Sequence, residues 1–231
     1  MDEAPKRPGS GHPCIVLMFK APERSKRRLA QQIGDFAAAA ADCLLDCALE
    51  DVESWPGPVC FSPAAPVDLE WLTSRLGSQA LVVAQSEGNL GQRINHVNRE
   101  LWSRGHTAQI FIGIDCPGLG PRYLEEAAAA LADNDVVLGP ALDGGAVLIG
   151  AKKRWPALGD LAWSDANLLR ELVALCTSLE WKTIITGALA DVDTAADLYA
   201  AADALSTDQR LSRRALCAWV DTHAARLAPF S

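Results

Sequence analysis

The sequence predicts an α/β protein with a single domain and a mostly parallel central sheet. Apolar runs of strand length alternate along the 231 residues with longer segments rich in Ala and Leu, and this alternation is typical of β-α-β units. The first run, residues 14–19, is apolar at every position, which is the pattern of a strand covered on both faces. The chain is long enough for one sizeable core, and it contains no internal repeat or linker.

Each later strand is predicted where a short apolar run lies between turn-forming residues. The predicted strands after the first are 59–61, 81–83, 109–114, 135–138, 146–149 and 183–185.

The predicted helices lie between these strands, where apolar residues recur at helical spacing. Pro121 suits the first turn of one of them because its missing N–H is not needed there. The predicted helices are 29–52, 69–76, 89–103, 121–132, 165–176, 194–205 and 208–227. Residues 1–12 lack hydrophobic periodicity and are expected to be a flexible tail, so the domain is expected to span 13–231, with a helical extension from about 206.

Composition argues against several classes of protein. With 21 Lys and Arg against 29 Asp and Glu, the net charge is −8, which opposes general nucleic-acid binding. No apolar run approaches the roughly 20 residues that span a bilayer, so no membrane span is expected. The seven cysteines include no C-x-x-C pair, which favours reduced thiols and a cytoplasmic location. The sequence carries no signal for a particular oligomeric state.

A strongly basic loop follows the first predicted strand. Residues 20–28, which we call the basic loop, contain five cations in an otherwise acidic chain. Ligands of open α/β sheets bind beyond the carboxyl ends of the strands, so these cations predict a site for a di- or triphosphate beside the following helix N-terminus. A solvated basic loop is the alternative. The loop has neither a P-loop nor a Gly-x-Gly-x-x-Gly pattern, which argues against a Rossmann dehydrogenase.

A second loop, residues 85–93, has two glycines around a predicted helix start. Such glycines let the backbone come close to a flat ligand such as a base or a sugar. An ordinary helix start explains the same residues equally well.

Two carboxylates are candidates for binding a divalent metal. Asp115 ends an apolar strand and is followed by a turn at Pro117, so its oxygens are expected at the sheet edge. A cation that bridges phosphates needs only one or two carboxylates, and Asp193 is the candidate for the second. The alternatives are a turn residue for Asp115 and an N-cap for Asp193.

The segment Asp143-Gly144-Gly145 lies between two predicted strands. A tight hairpin turn would use the same residues. In the functional interpretation, the glycine backbone admits an acceptor substrate, and Asp143 bonds a hydroxyl of that acceptor or acts as its general base.

Six segments in this order resemble the nucleotide-diphospho-sugar transferase superfamily, which has the glycosyltransferase type A fold, and in particular its uncharacterised bacterial glycosyltransferase-like branch. The resemblance runs from about residue 14 to 198. The segments are Lys20-Ala21-Pro22 with Lys26-Arg27-Arg28-Leu29, then 85–93, 113–117, 139–145, Trp163-Ser164 and 191–194.

The resemblance implies a Rossmann-like three-layer α/β/α sandwich and a role for each segment. The implied nucleotide-binding residues are Lys20, Lys26, Arg28, Gln85, Gly88 and Arg93. Asp115 matches the carboxylate that carries Mg²⁺ or Mn²⁺ under the pyrophosphate. The acceptor side would be formed by Asp143, Gly144, Gly145 and Trp163.

The leading hypothesis is a metal-dependent enzyme that transfers a sugar from a nucleoside diphosphate to a small-molecule acceptor, with Asp115 and Asp143 as catalytic residues. The superfamily also contains nucleotidylyltransferases, so attack on a nucleoside triphosphate with release of pyrophosphate is the alternative. The basic loop lacks the glycine usual in the family, and Arg27 stands where threonine is common. This departure motivates a third hypothesis, a nucleotide-binding module without catalysis. Ala146 replaces a common tyrosine and predicts an altered or wider acceptor pocket.

Overall fold

The structure, a computed structural model, describes residues 11–76, 80–163 and 165–227. Of the predicted flexible tail, only Gly11 and His12 fall within these ranges. The His12 ring meets that of Trp55 edge-on, with the centroids 5.5 Å apart, and Trp55 Nε1 donates to the Pro13 carbonyl at 3.1 Å. The start of the described chain therefore packs against the Trp55 indole and accepts a hydrogen bond from it.

Seven strands of the described ranges form one sheet: β1 (Cys14–Phe19), β2 (Val59–Pro63), β3 (Leu81–Val82), β4 (Gln109–Ile112), β5 (Val136–Pro140), β6 (Ala146–Ala151) and β7 (Thr183–Ile185). Their order in the sheet is β3-β2-β1-β4-β6-β5-β7. β6 is antiparallel to both neighbours, and the other adjacent pairs are parallel. The prediction of a mostly parallel sheet is confirmed.

The helices in these ranges are α1 (Arg27–Ile33), α2 (Phe36–Glu53), α3 (Pro66–Leu76), α4 (Leu90–Ser103), α5 (Pro121–Asp133), α6 (Leu168–Ser178), α7 (Ala195–Ala204), α8 (Leu211–Thr222) and α9 (Ala224–Leu227). A short 3-10 turn, Pro22–Arg24, lies in the basic loop. None of the described helices is both long and apolar enough to cross a membrane.

Helices cover both faces of the sheet, so the predicted three-layer sandwich is confirmed. Successive side chains of a strand point to opposite faces. In β1, Ile15 and Leu17 pack into the core that includes residues of α2, α3 and α5, whereas Val16 packs into the core that includes residues of α4 and α6. Every residue of β1 is buried, as its continuous apolar run predicts.

A third hydrophobic cluster joins the C-terminal helices to the start of the chain. It contains Leu29 of α1, Leu44 of α2, Leu198 of α7 and Leu216 of α8, all fully buried. The predicted C-terminal extension is helical and packs against α2 and α7, because its apolar residues complete this cluster.

Three predicted helices differ from the structure. The predicted helix 29–52 is divided, since Gly34 has a left-handed φ of 62° and its N–H closes α1 on the Ala30 carbonyl. The predicted helix 165–176 begins only at Leu168, because the Asp165 carboxylate forms a turn with the Asn167 N–H at 2.8 Å. The segment 208–227 forms α8 and α9 rather than one helix. The other predicted elements are present, with ends shifted by no more than three residues.

A buried ion pair links α2 and α8 to the turn that follows β4. Arg213 is fully buried, and its Nη2 lies 2.5 Å from Asp51 Oδ2. Its Nε donates to the Pro117 carbonyl at 3.1 Å, and Arg210 Nη1 bonds the other Asp51 oxygen at 2.8 Å. Burial raises the pKa of Asp51 to about 6, and the two guanidiniums, which favour the ionised carboxylate, oppose the rise.

We expect Arg213→Met to lower the free energy of unfolding by about 3–5 kcal/mol, because it leaves a buried carboxylate without its main partner. Urea denaturation at pH 7 measures the change. Arg214→Met is the control: Arg214 is exposed on the same helix and its loss should change the value by no more than about 0.5 kcal/mol. Equal effects of the two substitutions would show that the Asp51 pair does not stabilise this junction.

Candidate functional site

The loops at the carboxyl ends of β1 and β4 open into a cleft with a volume of about 750 Å³. The turn between β5 and β6 and the segment before α7 complete its wall. Eleven of the twelve residues predicted from the sequence line this cleft: Lys20, Lys26, Arg28, Gln85, Gly88, Arg93, Asp115, Asp143, Gly145, Trp163 and Asp193. The sequence motifs are thus brought together in one place.

One side of the cleft is strongly cationic. The pKa of Lys20 is lowered, first by burial and then by the positive charges of Arg93, Arg27 and Arg24. Repulsion among these cations means that their charge is not fully compensated by the protein, which favours binding of an anion. The contribution expected from a helix dipole stays a prediction; the helix that follows the loop, α1, has 7 residues.

Asp68 holds the basic loop in place, and this role was not among those predicted from the sequence. Its side chain is fully buried, and Oδ1 accepts from the Ala21 N–H at 3.0 Å and from Arg24 Nη1 at 3.3 Å. An Asp in the first turn of a helix is common, so its position at the start of α3 gave no signal of this long-range role.

The other side of the cleft is acidic, and one lysine lies between two of its carboxylates. Lys26 Nζ is 2.5 Å from Asp115 Oδ1 and 3.7 Å from Asp193 Oδ1. The Val192 N–H donates to the Asp115 carbonyl at 2.8 Å, which fastens the segment before α7 to the end of β4. The predicted proximity of Asp115 and Asp193 is therefore present. Arg28 pairs with Asp193 Oδ2 at 3.0 Å.

Asp191 is a further carboxylate of this site that the sequence analysis did not select. Its pKa is raised by burial first, then by the nearby charge of Asp143, and less by Asp193 and Asp115. Asp191 and Asp193 both line the cleft. Their i, i+2 spacing was the available signal.

Asp115 and Asp193 fit a divalent cation that is shared with a ligand. Among the described residues, no three His, Cys, Asp or Glu side chains form a ready metal site. Mg²⁺ commonly takes one or two carboxylates and completes its shell with phosphate oxygens and water. The Asp115 and Asp193 side chains are 50% and 43% exposed, so both present oxygens to the cleft.

The loop 85–93 combines a structural and a cleft-facing role. Asn89 and Gln92 form a capping box at the start of α4, which confirms the ordinary helix start. Gly88 has a φ of 105°, and a Cβ there would lie 2.2 Å from Gln92 Oε1. Gln85 and Arg93 face the cleft, and Arg93 Nε donates to the Gly88 carbonyl at 2.9 Å.

The turn between β5 and β6 confirms the hairpin interpretation. Asp143 is exposed, and its Oδ1 accepts from the Gly145 N–H at 2.8 Å. Gly144 does not line the cleft: its φ is 94°, and a Cβ would lie 2.2 Å from the Ala166 carbonyl oxygen. Trp163 lines the cleft and is held by a 2.6 Å bond from Nε1 to the Leu158 carbonyl.

Cys116 lies beside Asp115, and its burial argues against a role as nucleophile. Burial raises the pKa of its thiol to about 12, and a thiol is reactive only as the thiolate.

Comparison with known proteins relates the chain to one family and to several structures. Residues 44–165, just over half of the chain, match a family described as an uncharacterized protein conserved in bacteria, DUF2064. Curated proteins gave no match.

The chain is similar to a structure from Desulfovibrio desulfuricans G20, provisionally named a nucleotide-diphospho-sugar transferase. The two are 24% identical with a TM-score of 0.82, over 94% of this chain and 97% of that one. A 4-diphosphocytidyl-2C-methyl-D-erythritol synthase from Anaerococcus prevotii is 12% identical with a TM-score of 0.55, over 85% of this chain and 100% of that one. A cytidylyltransferase from Leptospira borgpetersenii is 12% identical with a TM-score of 0.52, over 94% of this chain and 97% of that one. These likenesses confirm the predicted fold.

If the basic loop binds phosphates, we expect pyrophosphate to stabilise the protein and Asp68→Ala, which releases the loop, to reduce that stabilisation. The substitution removes the acceptor of two hydrogen bonds and should itself cost about 1–3 kcal/mol of stability. Thermal unfolding with and without pyrophosphate separates the two effects. Glu70→Ala, an exposed carboxylate on the same helix, should keep the full pyrophosphate shift. An unchanged shift in Asp68→Ala would contradict the positioning role.

Proposed function

The chain belongs to the bacterial family DUF2064, and from its cleft we propose that it is a metal-dependent enzyme that transfers a sugar from a nucleoside diphosphate to a small-molecule acceptor. The observation that carries the proposal is the meeting of the basic loop with Asp115 and Asp193 at one end of the sheet. Diphosphate binding needs the cations, and a shared divalent metal needs the carboxylates. The likeness to the provisionally named nucleotide-diphospho-sugar transferase supports the same assignment.

The donor would bind with its diphosphate on the cationic side of the cleft. Lys20, Arg27 and Arg93 supply charge there, since the electrostatic crowding at Lys20 is relieved when an anion binds. Positive groups fixed in advance stabilise the charge that grows on a leaving diphosphate. Gln85 and Gly88, next to Arg93, would line the base and ribose.

Asp115 and Asp193 are the residues that would hold Mg²⁺ or Mn²⁺. The metal would neutralise charge on the leaving diphosphate when bound. Lys26 and Arg28, which now pair with these carboxylates, would be shared between them and the donor phosphates.

The acceptor would lie on the side of the turn between β5 and β6. The Gly145 N–H fixes one oxygen of Asp143, so the orientation of the carboxylate is set before the acceptor binds. The other oxygen would take a proton from an acceptor hydroxyl. Trp163, which also lines the cleft, would supply an apolar contact for the acceptor.

Nucleotidyl transfer is the second candidate function. Six cations among the described residues line the cleft: Lys20, Arg24, Lys26, Arg27, Arg28 and Arg93. This charge also suits a triphosphate, and two proteins of similar fold are named as a cytidylyltransferase and a diphosphocytidyl-methylerythritol synthase.

The seven cysteines support a cytoplasmic location. All are free thiols, and Cys14, Cys47, Cys60 and Cys176 are buried. Free cysteines of this kind are usual in reducing compartments.

We expect one sugar nucleotide, together with Mn²⁺, to raise the midpoint of thermal unfolding. A ligand at about 100 times its Kd stabilises a fold by roughly 2.7 kcal/mol, so nucleoside diphosphates, triphosphates and sugar nucleotides can be compared with and without Mn²⁺. A shift with triphosphates alone, and release of pyrophosphate in the matching assay, would replace sugar transfer by nucleotidyl transfer.

Asp115→Asn tests the metal in the same experiment. The Mn²⁺-dependent part of the shift should be lost, because the carboxylate is replaced by a neutral amide of equal shape. Asp133→Asn, at the end of α5 outside the cleft, should retain it. Bound nucleotide without turnover of any substrate would favour the non-catalytic module.

We expect Asp143→Asn to lower turnover by about 100-fold if Asp143 is the general base. Asparagine keeps an oxygen for the Gly145 N–H, so the turn is preserved while the base is lost. Nucleotide affinity should stay unchanged, because Asp143 belongs to the acceptor side. Initial rates with the donor found by thermal unfolding measure the effect, and unchanged turnover would remove Asp143 from this role.

A further inference from the structure

The geometry points to Lys26 as an internal counter-ion that competes with a divalent cation for Asp115 and Asp193. We propose that its ammonium neutralises Asp115 and Asp193 in the nucleotide-free protein and moves to the phosphates when a nucleotide binds. The divalent cation would then bind tightly only together with the nucleotide. This inference rests on the proposed function, because it assigns an order of binding to the same site.

Lys26 is placed between the carboxylates by several contacts. Its side chain is 3% exposed, although the two carboxylates that it contacts are about half exposed. Its Nζ bonds Asp115 and also donates to the Val192 carbonyl. The ammonium is therefore enclosed by acceptors from the end of β4 and from the segment before α7.

The backbone of Lys26 also favours this placement. Its φ of 51° and ψ of 47° are left-handed, a conformation that is unfavourable for a residue with a Cβ. In the described residues, positive φ outside glycine occurs only here and at Glu180. The turn directs the lysine into the cleft, and the contacts with Asp115 and Val192 compensate for the strain.

The charges explain why a metal would be excluded until phosphates arrive. Lys26 and Arg28 pair with Asp115 and Asp193 and compensate the charges of these two carboxylates. A divalent cation would have to displace the Lys26 ammonium before it could bind both of them. Phosphates bound by Lys20, Arg27 and Arg93 would add negative charge within reach of Lys26. The lysine can then pair with phosphate, and both carboxylates become available as ligands.

Thermodynamic linkage requires that nucleotide and metal strengthen each other's binding equally. If the nucleotide raises the affinity for metal by a given factor, the metal raises the affinity for nucleotide by the same factor, commonly about 5- to 150-fold. Removal of the Lys26 charge should raise the affinity of the nucleotide-free protein for metal, because the competing ammonium is gone.

Mn²⁺ alone is the probe that tests the proposal. We expect Lys26→Met to bind Mn²⁺ at least about tenfold more tightly than the wild type, by titration calorimetry or by the electron paramagnetic resonance signal of free Mn²⁺. Arg27→Met is the matched control, since it removes one charge from the same loop but no contact of Asp115 or Asp193. Its Mn²⁺ affinity should stay close to that of the wild type. Lys26→Gln, which keeps a donor for the Val192 carbonyl, provides the measurement if Lys26→Met does not fold.

The outcomes separate this inference from the proposed function. Equal Mn²⁺ affinity in Lys26→Met and the wild type would overturn the counter-ion role, and so would an equal gain in Arg27→Met. In either case, a pyrophosphate or sugar-nucleotide shift in thermal unfolding would leave the transferase proposal intact. If no nucleotide or pyrophosphate stabilises the wild type, the proposed function itself fails.

Discussion

The ion pair between Lys26 and Asp115 is the contact on which the cleft depends, because it joins segments that are far apart in the sequence. Lys26 follows β1, Asp115 follows β4, and the Val192 carbonyl that also accepts from Lys26 precedes α7. β1 and β4 are parallel neighbours in the sheet, so their carboxyl ends deliver the two side chains to the same edge. The fold brings the two side chains to one edge, and their opposite charges then hold the two loops together.

A second set of buried charges, between α2 and α8, supports the turn that follows β4 and carries Asp115. Arg213, on α8, donates to the carbonyl of Pro117 and pairs with Asp51 on α2. Pro117 lies two residues after Asp115, so the C-terminal helices restrain the turn that presents the metal-binding candidate. The extension therefore does more than cover apolar surface: it positions one wall of the cleft. Truncation of α8 would remove this restraint on the turn that carries Asp115, although no residue of α8 lines the cleft.

The sequence alone predicts the parts of the site that follow strands directly. Lys20 and Asp115 could be found because a buried strand ends beside each, and the strand ends define the binding edge of an α/β sheet. Asp68 could not be found, since its partners Ala21 and Arg24 are brought to it only by the pairing of β1 with β2. The break at Gly34 was missed for a different reason: a single glycine is tolerated within an apolar helical pattern, and only its left-handed φ shows that the helix ends.

We propose a diphosphate rather than a triphosphate as the charged part of the ligand, on the basis of the ion pairs in the cleft. The fold itself accommodates both sugar transfer and nucleotidyl transfer, so the choice must come from the site. Three of the six cleft cations already have acidic partners: Arg24 pairs with Asp68, Arg28 with Asp193, and Lys26 with both metal-binding candidates. Among the described residues, Lys20, Arg27 and Arg93 line the cleft without such a partner. A triphosphate, with one more charged phosphate to neutralise, would have to recruit more of the paired cations than a diphosphate would.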